Sequence, residues 1–294
     1  MVANLKKNSL WRDYLELTKP GVQALLFVTC GSGMLIASNF SISIELLVFG
    51  LLGISLIAAS AATVNHIQDI LIDSKMERTS KRPLVKGSIP KLSAISFALI
   101  LYLLGSGMLL IYINSLTWVL TSLTFIFYAF IYTRYLKFLT SQNIVIGGIA
   151  GAMPPLLGWT AVTNSIEPNA WLLVLIIFAW TPPHFWALAI NRLDDYKDAG
   201  VPMLPVQRGI PFTKRYIVLY TILLIIATLL PFTVDMFGFI YLISALFSGS
   251  IFLYYSVKLY FDKSNSYAMK TFGFSIAYLA LLFLSMLFDR FLLS

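Results

Sequence analysis

Charge is scarce in this sequence and cysteine is nearly absent. Only 12% of its 294 residues are charged, about half the share of an average soluble domain. The single cysteine, Cys30, excludes an intrachain disulfide and leaves the redox compartment unread. A disordered chain, a coiled coil, a collagen and a small disulfide scaffold are all excluded by this composition. Apolar residues make up 59% of the chain, and its mean hydropathy is +0.83. A soluble enzyme has no way to hide so much apolar surface. At about 150 residues per domain, length alone suggests two domains. The apolar fraction overrides that and implies one membrane-embedded body spanning residues 1–294.

Apolar runs of about 20 residues recur, each long enough at ~1.5 Å per residue to cross ~30 Å of hydrocarbon. Nine are read: 21–38, 44–66, 92–113, 116–133, 144–163, 170–192, 216–234, 236–257 and 269–288. The fold class is therefore all-α and polytopic, a bundle of nine transmembrane helices. Residues 1–20 are polar, carrying Lys6, Lys7, Arg12, Asp13, Glu16 and Lys19, and do not read as a secretory signal. With the N-terminus cytoplasmic, 20 of the 21 basic residues fall on the inner side, and only Arg290 falls outside. That satisfies the positive-inside rule and puts the C-terminus outside. The net charge of +8 is thus topological and calls for no nucleic acid. The outer connections are short, whereas two inner ones, 67–91 and 193–215, are long and hold the unusual polar residues. The working face is expected on the cytoplasmic side. Each long loop follows the second span of a four-span set, a hint of duplicated halves.

At the inner end of the second span stands N-H-I-Q-D-I-L-I-D, with Asn65, Asp69 and Asp73 spaced i, i+4, i+8. At 100° per residue they fall within an arc of about 80°. At the inner end of the sixth span, N-R-L-D-D-Y-K-D places Asn191, Asp194, Asp195 and Asp198 within about 100°. Carboxylate stripes suit a hard cation: Mg²⁺ takes oxygen ligands, usually a few carboxylates plus phosphate and water. Two facing stripes would grip a metal-bound diphosphate from both sides and let an allylic C–O bond ionise. Any one aspartate could instead be a solvated helix end. A carboxylate that costs about 2.5–3.5 kcal/mol at the bilayer centre costs much less at the interface, but two Asn/Asp stripes at matched positions weigh against that reading. Arg78 and Arg82 in M-E-R-T-S-K-R-P-L, and Lys137 in Y-T-R-Y-L-K, can bind phosphate oxygens. Topology alone also demands cations at these places.

The sixth span contains T-P-P-H-F-W, where Pro182 and Pro183 should kink or unwind the helix. His184 shares the face of the stripe, lying within about 20° of Asn191 and Asp195 and about 10 Å deeper than Asn191. At that depth it contacts an acceptor, ligates an iron, or bonds a carbonyl freed by the prolines; helical phase does not choose among these. His66 lies off the Asn65 face and reads as an interfacial histidine. The 43 aromatic residues suit interfacial belts and carbocation faces alike, and spacing singles out none. The small residues of Gly147–Gly158 read as close helix packing, with Pro154 and Pro155 opening the helix.

Over nearly its whole length the chain resembles the intramembrane aromatic prenyltransferases of the UbiA superfamily. The resemblance runs through Y-L-E-L-T-K-P (Tyr14–Pro20), N-H-I-Q-D-I-L-I-D-x-x-M-E-R-T-x-x-R-P-L, Y-T-R-Y-L-K and G-A-M-P-P-L-L-G-W. T-P-P-H-F-W-A-L-A-I and D-D-Y-K-D-A-G-V-P-M-L-P-V (Asp194–Val206) point to its haem-farnesylating branch. The resemblance implies nine helices around a central cavity open to the cytoplasm, in the plasma or inner membrane. It implies Mg²⁺ held by Asp69, Asp73, Asp194 and Asp198, with Asn65, Arg78, Arg82, Lys137 and Asn191 around the diphosphate. Farnesyl diphosphate would be the donor and haem b the acceptor, contacted by His184. It also leaves room for association with haem-modifying or oxidase-assembly proteins. One departure stands out: the family's Tyr-x-x-x-Lys element is missing at that spacing, since Tyr132 and Lys137 are five residues apart. Two alternatives remain at this point. One is the same fold acting on a quinone precursor or other aromatic or tetrapyrrole acceptor. The other is a secondary transporter, against which the one-sided charge argues.

Overall fold

The computed structural model of the chain describes residues 10–293, so Lys6 and Lys7 of the N-terminal segment lie outside the described residues. Among these residues every element is helical. A short amphipathic helix, α1 (Leu10–Leu17), buries Asp13 and Leu17 and leaves Leu10, Trp11 and Leu15 exposed. Helices α2 (Pro20–Ala37) and α3 (Ile44–Gln68) follow. The first long connection holds α4 (Ile70–Asp73) and α5 (Pro83–Lys86). Next, α6 (Lys91–Met108) runs into a π-helical turn, π1 (Leu109–Ile113). Helix α7 (Ser115–Ile126) likewise runs into π2 (Phe127–Leu136) and ends in α8 (Lys137–Leu139). Then come α9 (Asn143–Ala152), α10 (Pro154–Thr163) and α11 (Pro168–Asn191). The second long connection holds α12 (Leu193–Asp198) and α13 (Leu204–Arg208). Helices α14 (Ile210–Thr233), α15 (Phe239–Phe261) and α16 (Tyr267–Leu293) complete the bundle.

Nine helices among the described residues are long and apolar enough to cross a membrane, and each overlaps one expected span. The widest differences are at the ends that carry the two long connections: the fourth runs on to Leu139 and the seventh begins at Ile210. The chain is a multi-pass membrane protein. Its outward faces carry the many exposed Leu, Ile and Phe that lipid requires. Buried polar groups at the other end of the bundle are accounted for locally. Asn114 caps α7 through the Thr117 amide at 2.8 Å and donates to the Thr160 carbonyl of α10 at 2.9 Å. Buried Asp289 accepts from the backbone amides of Gly238 and Tyr241, placing an anion at the N-terminus of α15.

The two proline pairs act differently from one another. Pro154 and Pro155 occupy the first turn of α10, where a missing N–H costs nothing, and the fifth span breaks at Met153. Pro182 and Pro183 sit inside α11, which stays helical through both. The expected unwinding is absent there. Neighbouring helices cover that stretch, whose residues from Thr181 to His184 are all buried.

The glycines of the fifth span serve close packing. A Cβ at Gly158 would fall inside the contact radius of the Cys30 carbonyl, and one at Gly33 inside that of the Pro155 carbonyl. Backbones of α2 and α10 therefore touch where a side chain cannot fit. Gly151, two residues before the break, has open space around its Cβ position. Gly158→Ala should cost about 1–3 kcal/mol by overpacking. Gly151→Ala should be neutral or stabilise by roughly 0.5–1 kcal/mol. Thermal midpoints of the two detergent-solubilised variants check the contrast; equal midpoints would refute the packing account.

Candidate active site

The first stripe survives a break in its helix. Helix α3 ends at Gln68, Asp69 sits at the joint, and α4 begins at Ile70. The backbone nevertheless keeps the bonds Asp69 N–H to Asn65 carbonyl (2.9 Å) and Asp73 N–H to Asp69 carbonyl (2.8 Å). Asn65, Asp69 and Asp73 thus stay on one side, each about 4% exposed. Asp69 Oδ2 accepts from Lys137 Nζ at 2.8 Å and from Asn65 Nδ2 at 2.9 Å. Asp73 Oδ2 accepts from Arg82 at 2.6 Å. Neither carboxylate's Oδ1 carries a hydrogen bond, and neither is among the sealed, unpartnered atoms. Each buried anion is therefore balanced by one cation and keeps one oxygen toward open space.

Lys137 reaches Asp69 because of the π-helix. In an α-helix, residues five apart lie about 140° from one another. In a π-helix the backbone bond runs i to i+5, which brings such residues onto one side. Ten residues of π2 separate α7 from α8, and Lys137 follows them directly. The same spacing lets the Thr133 hydroxyl donate to the Tyr128 carbonyl at 2.8 Å while accepting from Asn65 at 3.1 Å. Tyr132, five before Lys137, lies within electrostatic reach of both Asp69 and Tyr196, and a Cβ at Gly147 would strike its ring. The departure from the family spacing is thus offset by local helix geometry.

The second stripe is laid out differently. Helix α11 ends at Asn191 and the chain turns at Arg192 before α12 begins, so the assumed single helix is interrupted. Asn191, Asp194 and Asp198 are exposed. Asp195 is half-buried; its Oδ2 is sealed from solvent and unpartnered apart from Arg192 at 3.9 Å. The two long connections meet through apolar contacts, with Ile72 and Met76 of the first against Tyr196, Ala199, Val201 and Met203 of the second. Burial holds the Tyr196 phenol above its usual range, and Arg78 works in the opposite sense across the same junction. Arg78 is itself exposed. A cavity of about 290 Å³ opens beside Asp69, lined also by Gln68, Lys91, Thr133 and Arg134.

Two residues outside the expected set belong here. Lys19 Nζ donates to Asn65 Oδ1 at 2.5 Å and to the Tyr128 hydroxyl at 3.2 Å. It sits in the left-handed conformation, φ 55°, at the corner between α1 and α2. The only sequence signal was its place in T-K-P, where it counted as a topological cation. Asp195 is the other; helical phase placed it with His184, but the D-x-x-x-D spacing favours its neighbours. His184 lies deeper, buried between α11 and α16. Its ring stacks on Trp180 (4.2 Å) and Phe272 (4.5 Å), and its Nδ1 lies 2.6 Å from Ser275 Oγ.

Among the described residues no three His, Cys, Asp or Glu side chains form a ready-made metal cage. The oxygens present fit Mg²⁺ in its usual manner, one or two carboxylates completed by phosphate and water.

The model of the UbiA prenyltransferase family matches residues 24–287. A protoheme IX farnesyltransferase of Legionella pneumophila (strain Lens) is 55% identical over 281 residues, 96% of each chain. One from Alcanivorax borkumensis is 53% identical over 290 residues, 98% of this chain and 96% of that one. Among solved structures, a digeranylgeranylglyceryl phosphate synthase superposes with a TM-score of 0.79 at 23% identity, covering 96% of this chain and 99% of the other. A UbiA homologue from Archaeoglobus fulgidus bound to GPP and Mg²⁺ gives 0.64 at 16% identity, covering 93% and 99%. Those two structures bear on the fold; the sequence matches bear on the lineage, and the chain belongs to the UbiA prenyltransferase family.

Proposed function

We propose that this protein transfers the farnesyl group of farnesyl diphosphate to a vinyl group of haem b, giving haem O and diphosphate. The observation that carries this reading is the pair of buried carboxylates, Asp69 and Asp73, each held by one cation with one oxygen left free. The 55% identity to a protoheme IX farnesyltransferase supplies the donor and acceptor. The Archaeoglobus homologue bound to GPP and Mg²⁺ supports the metal. The carboxylates would face the cytoplasm in the plasma or inner membrane, with the N-terminus inside, as the distribution of Lys and Arg requires.

Asp69, Asp73 and the inward-turned Asp195 would hold Mg²⁺ with the diphosphate, and the metal would neutralise the departing charge. Lys137 and Arg82, already aligned by their carboxylates, donate to phosphate oxygens, and Arg78 and Lys19 add positive potential at the rim. Asn65 fixes the rotamer of Asp69 while Lys19 fixes Asn65. As the C1–O bond breaks, its electron pair leaves with the diphosphate. A vinyl carbon then forms the new bond to C1, and water captures the resulting cation and releases a proton. Asp194, Asp198 and Asn191, being exposed, have at most a part in closing the second loop over the substrate.

Purified protein incubated with haem b, farnesyl diphosphate and Mg²⁺ should yield a haem of increased mass matching a hydroxyethylfarnesyl side chain. Absence of that product with folded detergent-solubilised protein would reject the assignment. Asp69→Asn, Asp73→Asn and Asp195→Asn should each lower turnover by about 10²–10³-fold, the scale of removing one electrostatic stabiliser. Asp194→Ala and Asp198→Ala should stay within about twofold, as exposed substitutions do. The reverse order would move the second stripe back to the exposed pair. Lys137→Met should also cost about 3–5 kcal/mol of stability by leaving a buried carboxylate unpaired. Adding Asp69→Asn to it should recover part of that loss in thermal midpoint.

A further inference from the structure

His184 is held by contacts that define its protonation. Ser275 Oγ lies 2.6 Å from the Phe272 carbonyl and 2.6 Å from His184 Nδ1. A hydroxyl has one hydrogen and a carbonyl has none, so the Ser275 hydrogen goes to Phe272. The contact to the imidazole must then be filled by a hydrogen on Nδ1. Among the described residues no carboxylate forms an ion pair with the ring that would hold a second proton. In a neutral imidazole with Nδ1 protonated, Nε2 carries the lone pair.

The surroundings fix the ring as well. Trp180 and Phe272 cover its two faces at interplanar angles of 20° and 26°. Trp180 is itself tied down, its Nε1 donating to the Ser275 carbonyl at 2.8 Å. One residue of α16 therefore anchors both the stacking indole and the imidazole. Nε2 has no partner among the described residues, yet it is not sealed, in contrast to His66, whose two ring nitrogens are both buried and unpartnered. A basic nitrogen, oriented by a hydrogen bond on its other ring atom and left open, is how proteins present histidine to a metal.

We propose that His184 Nε2 is an axial ligand to the iron of the acceptor haem, with Ser275 setting its tautomer. The inference rests on the haem reading above and deepens it: His184 holds the macrocycle through its metal. Ligation, unlike simple packing, discriminates between a porphyrin with iron and one without.

The test uses the purified full-length protein titrated with haem b and, separately, with metal-free protoporphyrin IX. The variant is His184→Phe, which keeps a ring between Trp180 and Phe272 but has no lone pair. Haem affinity should fall at least tenfold, protoporphyrin affinity should change less than twofold, and the Soret band of bound ferric haem should shift. His184→Met, which supplies a thioether, should recover part of the haem affinity. Ser275→Ala should weaken haem binding by a smaller factor by freeing the tautomer. Equal losses for both porphyrins, or an unchanged Soret band, would overturn the ligand assignment and leave a packing role. Farnesylation by the wild-type protein, followed by mass in parallel, separates the two readings. Product formed with an unchanged Soret band rejects the ligand alone. A ligand signature without product rejects the reaction alone.

Discussion

Two carboxylates taken almost wholly out of water at the end of a lipid-embedded bundle impose the condition that the rest of the site obeys. A buried ion costs several kcal/mol to desolvate unless a counter-charge and hydrogen bonds meet it. Asp69 is met by Lys137 and Asn65, and Asp73 by Arg82. Satisfying Asp69 then sets its own demands. Asn65 must point its amide nitrogen at the carboxylate and Thr133, which turns its oxygen outward and calls for a donor. Lys19 supplies it from 46 residues away and ties the corner of α1 and α2 to the carboxylates. Few side chains in this network can be exchanged one at a time, because each removal strands a buried partner.

The backbone yields to the same condition. Ten residues of π-helix are costly, since the bonds are poorly aligned and the form is rare outside functional sites. Here the widened turn brings Lys137 under Asp69 and stacks Tyr128 on Tyr132 at 5.8 Å. The ring of Tyr132 then occupies the space that a side chain on Gly147 would need. A glycine in the fifth span is thus explained by a tyrosine in the fourth. The comparable contacts of Gly33 and Gly158 belong to backbone packing between α2 and α10.

What the sequence made legible divides along physical lines. Hydropathy located the nine spans because a bilayer of fixed thickness demands a fixed length of apolar helix. The first stripe was legible because its hydrogen bonds bridge the joint at Asp69, so α-helical phase holds from Asn65 to Asp73. The second stripe was misphased because the turn at Arg192 breaks the helix that the arithmetic assumed. Pro154–Pro155 and Pro182–Pro183 are the same dipeptide, yet one pair starts a helix and the other rides inside one. Tertiary cover, which a single sequence does not display, decides between them. Lys19 was hidden for a similar reason: its value lies in a contact across 46 residues, whereas its local context is only a charged residue before a proline.

The two stripes differ in their state of charge, and the difference bears on how a ligand enters. The first carries fixed cations on both carboxylates, so a metal arriving alone would meet positive charge as well as negative. Lys19, Arg82 and Lys137 outnumber Asp69 and Asp73, and the local field there favours an anion. On the proposed reading, a diphosphate would be drawn to that field and would bring the remaining oxygens that Mg²⁺ needs. The second stripe is unsettled by comparison: Asp195 has a sealed oxygen whose nearest cation is 3.9 Å away. A carboxylate in that condition gains most from a new positive neighbour. On the proposed reading, donor and metal arriving together would satisfy the cations around the first stripe and the unpaired aspartate of the second at once, whereas either alone would satisfy only one side.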